Sequence, residues 1–149
     1  EVTSALDVSV QAAVLKLLVE LQGATGTALL FVSHDLAVVR SISDRVMVLY
    51  QGRMCEIGTA ANVFEAPHHP YSETLLNAVL EPDPDRAPAL LADDLTELSP
   101  PETGCPFQRR CVRRIGPICD TERPDNMLVV AREYDHDIRC HLNKSTLLE

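Results

Sequence analysis

The chain has 149 residues, the size of one ordinary domain, and carries 22 acidic against 13 basic residues for a net charge of -9. A surface that tracks phosphates needs an excess of Lys and Arg, so this balance excludes a nucleic-acid binder as a whole. No apolar run approaches the roughly 20 residues that span a bilayer, and the N-terminus has neither the basic nor the apolar region of a signal peptide. The expectation is a cytoplasmic chain that docks on a membrane partner. Its first residue is not Met and reads as internal to a motif, so a fragment is expected, with Leu148-Glu149 read as a cloning scar at the end of a disordered 143–149 segment.

In chain order, Asp7 precedes VSVQAAVLKLLVELQ, whose apolar residues at 10, 14, 17, 18 and 21 share one helical face. Asp7 or Ser9 is placed to cap that helix, and Gly23 and Gly26 to end it. TALLFVS, residues 27–33, is short and continuously apolar, the pattern of a strand buried on both faces. DLAVVRSIS follows as a short helix with Asp35 near its start. RVMVLY, the turn Gln51-Gly52 and RMCEIG read as a β-hairpin. Thr59 is a cap for the next turn, Pro67 a stop, and Pro70 opens a helix where its missing amide costs nothing. Residues 81–102, with five prolines and seven acids against one arginine, read as a solvated linker. The division expected is 1–80 globular, 81–102 linker and 103–142 cysteine-rich tail.

A glutamate leaving one strand and a histidine leaving the next can converge at the carboxyl edge of a parallel sheet, where open α/β folds bind ligands. Hydrolysis of a nucleoside triphosphate needs an acid to orient water and a donor at the γ-phosphate. EVTSALDVSVQ followed by FVSHDLAVV resembles the second half of an ATP-binding-cassette nucleotide-binding domain, with Val2 where proline is usual. The resemblance implies that Glu1 is the catalytic glutamate, that Ser4 and Asp7 belong to the D-loop between paired nucleotide sites, and that His34 contacts the γ-phosphate. It implies ATP and Mg2+ as cofactors. No GxxxxGK[ST] loop, glutamine loop or LSGGQ-like helix start occurs in the sequence, so this chain contains no phosphate cradle and is expected to be inactive alone. A nucleophile built from Ser33, His34 and Asp35 is disfavoured, because adjacent side chains diverge.

HPYSETLL, residues 69–76, is similar to the motif just beyond the ATPase core in oligopeptide and dipeptide importers. His68 and His69 precede a proline and lack other ligands at helical spacing, so a loop and helix cap is expected of them rather than a metal site.

Cys105, Cys111, Cys119 and Cys140 follow the linker, while Cys55 stands alone in the hairpin. Four cysteines in a short, core-poor cytoplasmic tail point to metal thiolates before disulfides, and a metal would supply folding energy that packing there cannot. Zinc favours close pairs, which are missing; iron-sulfur clusters also take four thiolates on longer loops. GCPFQRRCVRRIGPIC and the later RCHL resemble the C-terminal cysteine region of the same importers, which implies a [4Fe-4S] cluster, with zinc as the alternative. Arg109, Arg110, Arg113 and Arg114 would neutralise such a cluster, and His141 is a reserve ligand.

The expected fold is α/β, the C-terminal part of a P-loop nucleotide-binding domain: a partial parallel sheet with flanking helices and a β-hairpin, plus the cysteine-rich tail. The expected function is ATP hydrolysis energising peptide import at the cytoplasmic face of the membrane. The partners expected are a second nucleotide-binding subunit, permease subunits and, indirectly, a peptide-binding protein. The alternatives are a metal-binding interaction module with an inactive ATPase remnant, and a split reading frame completed by another chain.

Overall fold

A computed structural model describes residues 7–80, 101–124, 128–129 and 135–148. The chain divides into two compact units, residues 1–44 and 45–149.

In the first unit, helix α1 spans Val8–Thr25. Asp7 caps it, its carboxylate accepting the Ser9 and Val10 amides at 2.9 Å each, which satisfies donors that a helix start leaves unpaired. The helix runs through Gly23 and ends at Gly26, whose left-handed φ of 67° returns its N–H to the Gln22 carbonyl. Gly23 is therefore an interior residue, not the terminator its type suggested. The expected apolar face also differs: Leu15 is buried, whereas Val10, Leu17 and Leu21 are exposed.

Residues 27–33 form no strand, which corrects the expected parallel element. Leu30 is 95% exposed and Val32 72%. A strand is stabilised by ladder bonds and by neighbours on its faces, and no described residue pairs with this segment. Helix α2, Leu36–Ile42, begins as expected: Asp35 accepts the Ala37 and Val38 amides at 3.0 and 3.1 Å.

The second unit is organised by a four-stranded antiparallel sheet of order β1-β2-β4-β3. Strands β1 (Arg45–Tyr50) and β2 (Arg53–Thr59) are the expected hairpin. Gln51 and Gly52 both take positive φ, 48° and 74°, as a tight two-residue turn matched to strand twist requires. Strand β4 (His136–Ile138) adds to β2, and β3 (Leu128–Val129) adds to β4. The sheet is therefore completed by residues that follow the acidic segment rather than by a parallel strand preceding the hairpin.

Four helices belong to this unit among the described residues. They are α3 (Ala60–Val63), capped by Thr59, α4 (Pro70–Leu80), α5 (Ile118–Thr121) and α6 (Lys144–Leu147). Two apolar clusters hold it. Tyr50, Cys55, Cys105 and Phe107 pack together with Tyr71 and Cys111 against them, and Ile138, Leu142 and Leu147 pack with Cys140.

Candidate functional site

Strand β2 departs from strict alternation at one point, and the departure matters. Val48 pairs with Glu56 but Leu49 pairs with Met54, so Cys55 is the extra residue of a β-bulge. A regular strand would send Cys55 and Glu56 to opposite faces. With the bulge, both are buried. Cys55 thereby joins the aromatic core, and Glu56 enters a polar network.

The thiol group comes first. Cys105, Cys119 and Cys55 are buried, Cys111 and Cys140 half-buried, and none is in a disulfide. The Cys105 amide donates to the Cys119 carbonyl at 2.8 Å. Between them Gly104 takes φ 75°, and a Cβ there would lie 2.3 Å from the Cys119 oxygen, so glycine is required for this approach. Phe107 sits between two tyrosines, its ring 5.1 Å from Tyr50 and 5.4 Å from Tyr71.

Electrostatics place the cysteines near one another. Burial pushes the Cys140 thiol up to about 11, with Cys105, Cys111 and Cys119 each adding to the rise. Burial, then Cys105, pushes Cys55 up to about 12. Cys105 and Cys111 are raised chiefly by burial as well, while Arg113 favours the Cys111 thiolate. Cys140 is thus within electrostatic reach of the other three tail cysteines although it lies 21 positions beyond the third. Among the described residues, no three His, Cys, Asp or Glu side chains stand in an arrangement that holds a metal ion.

The polar network lies beside them. The Glu56 carboxylate is fully buried. Its Oε1 pairs with His136 Nε2 at 2.7 Å, and its Oε2 accepts the His69 amide at 2.9 Å. His68 Nδ1 stands 3.8 Å from Oε1, outside hydrogen-bond reach. Burial alone would raise the Glu56 carboxyl, yet His136 first, then His68 and Ser72, and last the His69 amide outweigh it and hold the group at about 2. His69 is 1% exposed, and burial lowers it to about 4, so it is neutral at physiological pH. Its Nδ1 accepts the Tyr71 amide at 3.0 Å, which makes it the expected helix cap of α4.

The residues singled out from sequence are distributed as follows. Glu1 and Ser4 lie outside the described residues. Asp7 is committed to capping α1. His34 sits immediately before α2, between Ser33 and Asp35, whose Oγ and N–H are joined at 3.0 Å. His141 Nε2 is bonded to the Glu122 carbonyl at 2.9 Å. Arg113 reaches Glu73 at 3.2 Å and also the Thr146 carbonyl, and Arg114 pairs with Asp120. Glu56 and His136 went unnoticed because they are 80 residues apart. The available signal was an acid inside an otherwise apolar hairpin strand.

Residues 55–119 match the family model described as the oligopeptide/dipeptide transporter, C-terminal region. The match takes in the end of β2, the HPY helix and the first three tail cysteines, and its class is that of oligopeptide and dipeptide transporters. More particularly, the chain belongs to their ATP-binding subunits and corresponds to the C-terminal portion of one. It is 44% identical over 144 residues to the oligopeptide transport ATP-binding protein OppF of Escherichia coli, covering 94% of this chain and 42% of that protein. OppF of Salmonella typhimurium matches to the same extent. The dipeptide transport ATP-binding protein DppF of E. coli is 48% identical over 119 residues, 78% of this chain and 36% of DppF. The chain therefore spans about two fifths of the length of the relatives it matches. No helix among the described residues is long and apolar enough to cross a membrane.

Proposed function

We propose that this chain is the C-terminal part of an ATP-hydrolysing subunit that energises peptide import through a membrane permease. The observation that carries the reading is the 44% identity to OppF across 144 residues. In the complete subunit Glu1 polarises the attacking water, and His34 supplies a donor to the γ-phosphate where charge develops. Ser4 and Asp7 belong to the loop that communicates between paired nucleotide sites; the Asp7 cap fixes where that loop ends and α1 begins. ATP and Mg2+ are bound with a second such subunit, at the cytoplasmic face. The permease subunits are direct partners, and a peptide-binding protein acts indirectly through them. The chain alone, with no GxxxxGK[ST] loop, is inactive.

Cys105, Cys111, Cys119 and Cys140 hold a [4Fe-4S] cluster in this reading. What supports a thiolate-bound group, with zinc as the alternative, is the donor set. The donors are four free thiols that influence one another electrostatically. When bound, the cluster supplies a crosslink that substitutes for missing core. Arg113, beside Cys111, favours the deprotonated ligand.

In the complete subunit assembled with its permease, His34→Ala is expected to lower ATP hydrolysis and peptide uptake by about a hundredfold. Unchanged hydrolysis sinks the assignment. Protein purified without oxygen is expected to be brown, with about four irons and four sulfides per chain, and Cys111→Ser to lose the colour. Stoichiometric zinc without colour refutes the cluster.

A further inference from the structure

We propose that the buried Glu56–His69–His136 network is a positioning device that delivers Cys140 to the other three tail cysteines. The inference deepens the metal-site reading and rests on it only for the statement that Cys140 is a ligand.

Cys140 is the ligand with most to explain. It lies two residues past the end of β4, in a segment remote in sequence from Cys105, Cys111 and Cys119. Apolar packing around Ile138 and Leu142 buries this segment but is non-directional, so it does not by itself aim one side chain. Hydrogen bonds do, and two hooks hold β4 to the loop before α4.

The first hook is the Glu56 carboxylate, which takes the His69 amide on one oxygen and His136 Nε2 on the other. It joins the first residue of β4 to the HPY segment across β2. The second hook is the His69 ring. Its Nδ1 accepts the Tyr71 amide, and the ring also bonds to the Arg139 backbone. The Arg139 amide donates in turn to the Cys55 carbonyl at 2.8 Å. The backbone of the residue preceding Cys140 is thus held both by β2 and by the His69 ring. On the other flank, the His141 ring holds the Glu122 carbonyl.

The same short segment also touches the remaining ligands. Tyr71 packs edge-on to Tyr50 at 4.8 Å and lies with Cys111 against the Cys105–Phe107 cluster. The His69 ring itself lies 6.1 Å from that of Phe107, so the one residue that engages the Arg139 backbone also borders the Cys105–Phe107 cluster. A helix cap alone needs only a short surface side chain such as Ser or Asp. A buried imidazole that caps α4 and also engages the Arg139 backbone does more: it ties two parts of a ligand set together, as outer partners of metal ligands do.

The test uses the full chain, freed of metal and kept without oxygen, and reads the alkylation rate of each cysteine with N-ethylmaleimide by mass spectrometry. His69→Ala is expected to raise the Cys140 rate about tenfold while Cys119 stays within about twofold. His69→Gln, which keeps a donor and an acceptor, is expected to recover part of the protection. After reconstitution with ferrous iron and sulfide, His69→Ala is expected to bind the metal about 10- to 100-fold more weakly. A parallel rise at Cys140 and Cys119, or no rise at either, overturns the proposal. Should both variants unfold, hydrogen exchange on the unaltered protein decides: the Arg139 amide is expected to be protected to the same degree as that of Tyr71, and fast exchange at Arg139 overturns the proposal. If the unaltered chain takes up no iron, the cluster reading fails while the alkylation result still judges the positioning role.

Discussion

Glu56→Gln probes the buried network through its charge. The substitution keeps one accepting oxygen for the His69 amide and removes the anion facing His136. Burial works to raise the carboxyl, and His136, with His68, Ser72 and the His69 amide, reverses this, leaving it at about 2 against the usual 4.5. At 1.36 kcal/mol per unit, that depression corresponds to roughly 3 kcal/mol of folded-state stability at neutral pH. Because the folded pKa lies below the unfolded one, the unfolded chain binds more protons between the two values. The contribution is complete above about 4.5 and is lost as pH falls toward about 2. Urea denaturation of both proteins at pH 7, 5, 4 and 3, followed by near-ultraviolet circular dichroism, reads the difference. The chain has no tryptophan and three tyrosines, of which Tyr50 and Tyr71 belong to the packed aromatic core of this unit. The expected result is a gap of roughly 3 kcal/mol at pH 7 that narrows steadily below pH 4.5. A gap under about 1 kcal/mol at pH 7, or one that stays constant with pH, refutes the reasoning.

Two further changes probe the walls of the thiol site. Phe107→Ala removes a ring that is 2% exposed and contacts both tyrosines; a loss of about 4 kcal/mol in urea denaturation is expected, with Phe107→Leu recovering about half. Gly104→Ala forces a Cβ to within 2.3 Å of the Cys119 oxygen at a left-handed φ. It is expected to cost about 2 kcal/mol or more, seen as a lower Tm, and an unchanged Tm contradicts the required close approach.

Much of the local structure was legible in the sequence. Asp7, Asp35 and Thr59 cap the helices they precede, Gln51-Gly52 turns the hairpin, and Pro70 opens α4. Each of these depends on atoms within four residues, where side-chain length and allowed φ decide the outcome. The resemblance to peptide-import ATP-binding subunits was likewise carried by short contiguous motifs, and the relatives agree with it.

What failed to transfer was everything that needs a distant neighbour. Residues 27–33 have the composition of a buried strand, but composition cannot supply the partner whose ladder makes one, and no strand among the described residues pairs with them. The bulge at Cys55 turns Glu56 inward against the alternation its neighbours predict. Only then can Glu56 meet His136 and the His69 amide, and only β4 beside β2 brings Cys140 toward Cys105. The sequence by itself determined which residues were available for the site: four tail thiols and a pair of histidines before a helix. The tertiary structure decided which of them meet, because a buried charge must find its hydrogen-bond partners wherever in the chain they lie.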